Sequence, residues 1–98
     1  MNMPDRVKIG FKDYIVTRIN DNVVSYNKVC YGAINFNNCE INISTLYSDD
    51  IQKCTLIHEI IHGIDDIYML DLKEEQVEQL AKGLYAFIKD NSDMFKTA

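Results

Sequence analysis

Apolar residues first alternate with polar ones, then recur every three or four positions, and this change of period divides the chain. Between residues 7 and 20, Val7, Ile9 and Phe11 alternate with Lys8, Gly10 and Lys12. Ile15, Thr17 and Ile19 then alternate with Val16, Arg18 and Asn20. Successive side chains of a strand point to opposite faces, so a period of two predicts two half-buried strands here. Asp21-Asn22 is a turn signal, after which residues 23–26 extend the sheet or form an irregular connection. Residues 31–44 predict a hairpin. Its first arm holds Ala33-Ile34-Asn35-Phe36, and its turn is Asn37-Asn38. On the return arm Ile41 and Ile43 alternate with Glu40, Asn42 and Ser44, which gives one apolar and one polar face.

The period lengthens after residue 48. Ile51, Cys54, Ile57, Ile61, Ile64 and Tyr68 recur at helical spacing and predict a helix over 49–69. Ser48, Asp49 and Asp50 supply N-cap candidates and negative charge for its first turn. Gly63 is a weak position inside it, which either ends the helix early or lets another backbone approach. A second helix is predicted over 72–91, with Asp71 as N-cap and a buried stripe of Val77, Leu80, Ala81, Leu84, Phe87 and Ile88. Strands followed by two helices give an α+β layout. The 98 residues are expected to form one domain, residues 1–98.

Composition removes several functions. The chain is 47% hydrophobic, enough for a core, and carries a formal net charge of -5. A nucleic-acid-binding surface is normally basic, so direct nucleic-acid binding is not expected. Without a stretch of 18 apolar residues, no membrane span is expected. The segment MNMPDRVKIG has no signal-peptide apolar core, which makes the cytoplasm the expected location. Cys30, Cys39 and Cys54 are odd in number and contain no C-x-x-C pair, so they read as free thiols.

The chemistry is concentrated in His58-Glu59-Ile60-Ile61-His62, an H-E-x-x-H run that contains both histidines of the chain. A chance match in a chain of this size is on the order of a few in a thousand at ordinary residue frequencies. Four residues apart on a helix, His58 and His62 lie on one face and can offer imidazole nitrogens to one metal ion. Glu59 is turned about 100° from His58 and suits the role of general base on a water. This is the zincin arrangement, with Zn²⁺ as its expected ion. The alternative is a pair of core histidines held by hydrogen bonds. Cys54 shares their face, but ligands at 54 and 62 would span about 12 Å of helix rise. It reads as a small buried hydrophobe.

A catalytic zinc site normally takes three protein ligands. With no third histidine, a carboxylate must serve, and the nearest are Asp65, Asp66, Asp71, Glu74, Glu75 and Glu78. Relative to a stripe centred on Val77, Leu84 and Ile88, Glu74 falls about 60–70° away and Glu75 about 170° away. Glu74 is therefore favoured as ligand, with Glu75 as the alternative. Glu78 lies one turn beyond Glu74 and is expected to fix a histidine ring from behind. Glu74 also fits a capping box with Asp71, and residues 73–78 also fit a solvated charged face.

The stretch TLIHEIIHGIDDIYMLDLKEEQVEQLAKGLYAFIKDN resembles the core of the ImmA/IrrE-type zinc metallopeptidases. More narrowly, it is similar to small versions encoded by phages and prophages of low-GC Gram-positive bacteria. The strand-rich first half, with GFKDYIV and YGAINFNNCEINIS, extends the likeness over most of the chain. The resemblance implies a minimal zincin-like fold: a small N-terminal β-sheet with a hairpin, then two packed helices, the first carrying the motif. It implies a gluzincin-type site in which Glu74, three residues before Val77, completes the zinc shell. It further implies hydrolysis of a peptide bond in a protein or peptide substrate, for example a transcriptional repressor. The strand Cys39–Ile43 is expected to offer its edge to that substrate, and Tyr68 and Tyr85 are candidates for steadying the oxyanion. The alternative is a degenerate zincin that binds zinc and a partner without cutting.

Overall fold

The computed structural model describes residues 1–96. Six strands precede two helices: β1 (Arg6–Ile9), β2 (Lys12–Ile19), β3 (Val23–Ser25), β4 (Lys28–Cys30), β5 (Gly32–Asn35), β6 (Glu40–Ser44), α1 (Asp49–Tyr68) and α2 (Glu74–Asp90). A short 3-10 turn, Ser92–Phe95, follows. This is a small α+β fold. Four strands form one sheet in the order β1-β2-β6-β5, and β3 pairs only with β4. The β2–β6 pair is parallel, whereas β1–β2 and β5–β6 are antiparallel.

The α1 helix begins where Ser48 accepts a hydrogen bond on Oγ from the Ile51 N–H at 3.3 Å. It lies between the sheet and α2. Leu56 joins Ile9, Tyr14, Val16, Ile41 and Ile43 in a core against the sheet. Ile57 and Ile61 join Val77 and Ala81 in a second core against α2. Apolar residues therefore cover two sides of α1, and the expected single stripe is a partial account. Gly63 does not end the helix; a Cβ there would stand 2.7 Å from Ile9 Cδ1, so its absence lets α1 settle onto β1.

Five expectations need correction. In β2 the inward residues are Tyr14 and Val16, while Ile15 is 52% exposed. A strand with apolar residues on both faces takes its phase from its neighbours. The strand containing Ile41 and Ile43 is no edge, because β2 and β5 flank it on both sides. Residues 23–26 belong to a separate hairpin. The α2 helix starts later than expected, with Lys73 and not Asp71 as its N-cap, and its N-terminal reciprocal bond runs from the Lys73 N–H to Gln76 Oε1 at 2.9 Å. Its buried residues are Val77 and Ala81, with Tyr85 and Ile88 packed beside them. Leu80, Leu84 and Phe87 stay exposed. Among the described residues, no helix is long and apolar enough to cross a membrane.

Candidate metal centre

Tertiary packing closes the gap between the two helices that sequence spacing leaves open. The chain leaves α1 through Met69 in the left-handed region, φ 51°, and turns again at Asp71, φ 57°. Asp65 fastens this turn three times, first through its carbonyl, which accepts from the Met69 N–H. Its carbonyl also accepts from the Leu70 N–H at 3.3 Å, and its Oδ1 accepts from the Leu72 N–H at 3.3 Å. The reversal lays the first turn of α2 beside His58 and His62. Val77, fully buried against Ile57 and Ile61, then sets the rotation of α2. Glu74, almost one turn earlier, faces the histidines.

His58 Nε2 lies 2.8 Å from Glu74 Oε1, and His62 Nε2 lies 3.0 Å from Glu74 Oε2. The two Nε2 atoms are 3.2 Å apart. Two imidazole nitrogens and a carboxylate thus converge from two helices on one point. The donor set fits zinc, which takes nitrogen at about 2.0–2.1 Å and carboxylate oxygen at about 2.0–2.2 Å in tetrahedral array. Ideal donors would stand about 3.4 Å apart, so an ion asks these contacts of 2.8, 3.0 and 3.2 Å to open by about 0.2–0.6 Å. Glu74 can move that far, since its side chain is largely exposed.

The other carboxylates go elsewhere. Asp66 pairs with Lys12 at 3.6 Å, Asp65 holds the turn, and Glu75 and Asp71 are exposed. Glu78 borders the cavity described below but pairs with Lys82 at 3.4 Å, and no hydrogen bond joins it to either histidine among the described residues. Cys54 lines the same cavity, and the three converging donors do not include it.

Glu59 is 7% exposed, although it is an acid. Burial pushes its carboxyl up to about 7, and the nearby Glu74 charge adds to the rise. A cation at the donor cluster would act in the opposite direction. Burial also lowers the proton affinity of His62, which favours the neutral imidazole that a metal needs.

These groups open onto a cavity of about 800 Å³. The opposite wall is β5, the outer strand of the sheet. Ser44 donates its N–H to the Tyr31 carbonyl at 2.9 Å, which fixes the phase of the β5–β6 ladder. Ala33 and Asn35 therefore bond toward β6, and the backbone groups of Gly32 and Ile34 point away from it, Gly32 buried and Ile34 half-buried. Comparison with protein-family models, curated proteins and solved structures finds no match to this chain.

Sequence reasoning missed the third side of the cavity. Tyr26, Lys28 and Tyr31 line it from the β3–β4 hairpin and the residue that follows. The available signal was Tyr26-Asn27, a turn-prone asparagine between two short runs with valines. Neither Tyr68 nor Tyr85 lines the cavity: Tyr68 is exposed at the end of α1, and Tyr85 donates its hydroxyl to Asp50.

Proposed function

We propose that this protein is a zinc-dependent peptidase of zincin type, in keeping with its resemblance to the ImmA/IrrE-like enzymes. One observation carries the reading: His58, His62 and Glu74 converge beside a buried Glu59, in a cavity bordered by a free strand edge. A purely structural zinc site has no use for a buried, unligated carboxylate at that position. Zinc held by these three residues would polarise a peptide carbonyl and acidify a water.

The protein's own groups do the rest. Ile34, half-buried on the outer side of β5, offers its backbone groups to an extended peptide, which adds as a further strand there. This replaces the strand Cys39–Ile43 as the docking edge. Glu59 takes a proton from the attacking water and hands it to the departing amine as the C–N bond breaks. The substrate is a protein segment in extended form, and a phage or prophage repressor in the cytoplasm is the first candidate.

The test uses protein purified without a histidine tag. Wild type should hold one zinc per chain by elemental analysis and cut a denatured protein mixture. Glu59→Gln should keep the fold and the zinc and lose cleavage by 10²–10⁴-fold, the range of general-base catalysis. Identical fragments from both would sink the peptidase reading. Zinc bound by both, with a shared partner and no cleavage, would leave a metal-containing binding module.

A further inference from the structure

The β3–β4 turn contains a residue poorly suited to it. Tyr26 has φ 51° and Asn27 has φ 63°, so both central residues of a two-residue hairpin are left-handed. Such turns favour Asn-Gly or Asp-Gly, because a side chain beyond Asn or Asp is crowded there. Asn27 suits its place, and Tyr26 does not. Among the described residues nothing compensates, since Tyr26 is 97% exposed and takes no part in the aromatic pairs Tyr31–Tyr47 and Phe87–Phe95. Yet Tyr26 stands on the rim of the cavity that holds His58, Glu59 and His62. Tyr31 and Phe36 continue this aromatic wall. The inward face of the hairpin, Ser25 and Lys28, also borders the cavity, while Val24 and Val29 point outward.

Backbone strain at an exposed aromatic beside a reactive site has a use when a ligand covers the ring. We propose that Tyr26 sets substrate specificity, closing its ring on a large apolar side chain of the bound peptide. The preferred substrate is an extended peptide with an aromatic or long aliphatic residue on the side of the scissile bond that faces the hairpin. A tyrosine suits this task because its rigid ring offers contact area at a small cost in conformational freedom. The inference rests on the peptidase reading, and its test separates the two.

Zinc-loaded full-length protein is given a denatured protein mixture, and the cleavage sites are identified by mass spectrometry. Wild type, Tyr26→Gly, Tyr26→Asn, Tyr26→Phe and Glu59→Gln are compared. Gly and Asn relieve the turn, so these variants should melt no lower than wild type. Their cleavage should lose its bias toward Phe, Tyr, Leu and Met at one subsite. On a peptide from a preferred site, KM should rise about tenfold with kcat little changed, as for loss of one aromatic anchor. Tyr26→Phe should keep both bias and KM. If Tyr26→Gly cuts the same sites with the same KM while Glu59→Gln is inactive, Tyr26 does not select substrate and the peptidase reading stands. If wild type cuts nothing, or Glu59→Gln cuts as wild type does, the peptidase reading fails and this inference with it.

Discussion

Glu74 stands three residues before Val77, and that interval decides which acid of the second helix meets the histidines. Glu75, turned about 100° further round, faces solvent. Glu74→Ala should therefore cut zinc affinity by at least about tenfold, and Glu75→Ala by less than about twofold, when read by competition with a chelator dye. Damage from Glu75→Ala alone would place the ligand one residue on. Much of this was legible in the sequence, because both the H-E-x-x-H spacing and the phase of α2 are properties of a single helix. The partners of Glu78 were not legible, since Lys82 and the histidines compete for it and only packing chooses. Tyr14 was equally hidden. It is fully buried, and among the described residues its hydroxyl has no hydrogen-bond partner. Tyr14→Phe removes an unpaired polar group from the core and should stabilise the protein by about 1 kcal/mol in urea unfolding.

At the scale of elements, α1 and α2 are clasped near the ends away from the His58–Glu74 cluster. Tyr85 donates its hydroxyl to Asp50, and Lys89 approaches the same carboxylate at 3.3 Å. The Tyr85 hydroxyl, then Lys89, hold the Asp50 carboxyl below its ordinary value. The same bond to Asp50 pushes Tyr85 up to about 12. Each shift has its own sign. Asp50, depressed in the folded state, stabilises above its unfolded value and loses that contribution as pH falls through the folded one. Tyr85, raised in the folded state, stabilises below its unfolded value and loses that contribution as pH rises toward about 12. Tyr85→Phe should therefore be less stable than wild type across the neutral range. The gap should close at both pH extremes, and a gap independent of pH would assign it to packing alone. At the β5–β6 ladder, a Cβ on Gly32 would stand 2.7 Å from both the Asn42 carbonyl oxygen and Thr55 Cγ2. Gly32→Ala should cost about 1–3 kcal/mol, measured by denaturant unfolding. The type and order of β1, β2, the β5–β6 hairpin and both helices followed from periodicity, while the short β3–β4 hairpin did not. The phase of β2 did not, because Tyr14-Ile15-Val16 is apolar on both faces and α1 chooses which is covered.

In the whole molecule, α2 leans on α1 and not on the sheet, through the small buried contacts of Val77 and Ala81. The donor cluster spans that seam, so an ion bound there would tie α2 down. At a free zinc concentration 100-fold above its dissociation constant, the folded state gains about 2.7 kcal/mol. For a domain of this size the melting temperature should rise by roughly 10–20 °C and fall back on adding a chelator. An unchanged melting temperature would mean that zinc does not bind the folded chain. The parallel β2–β6 pair carries a different consequence, for how the chain acquires its shape. Ile15 must find Glu40 and Ile19 must find Ser44 across an intervening hairpin and strand. Closing that loop costs chain entropy before any contact returns it. On a ribosome, β2 emerges with only β1 beside it and waits for β6, its other edge open. The residues that complete the sheet come just before α1. The histidine-bearing helix can therefore dock only once its platform exists, and the donors assemble last.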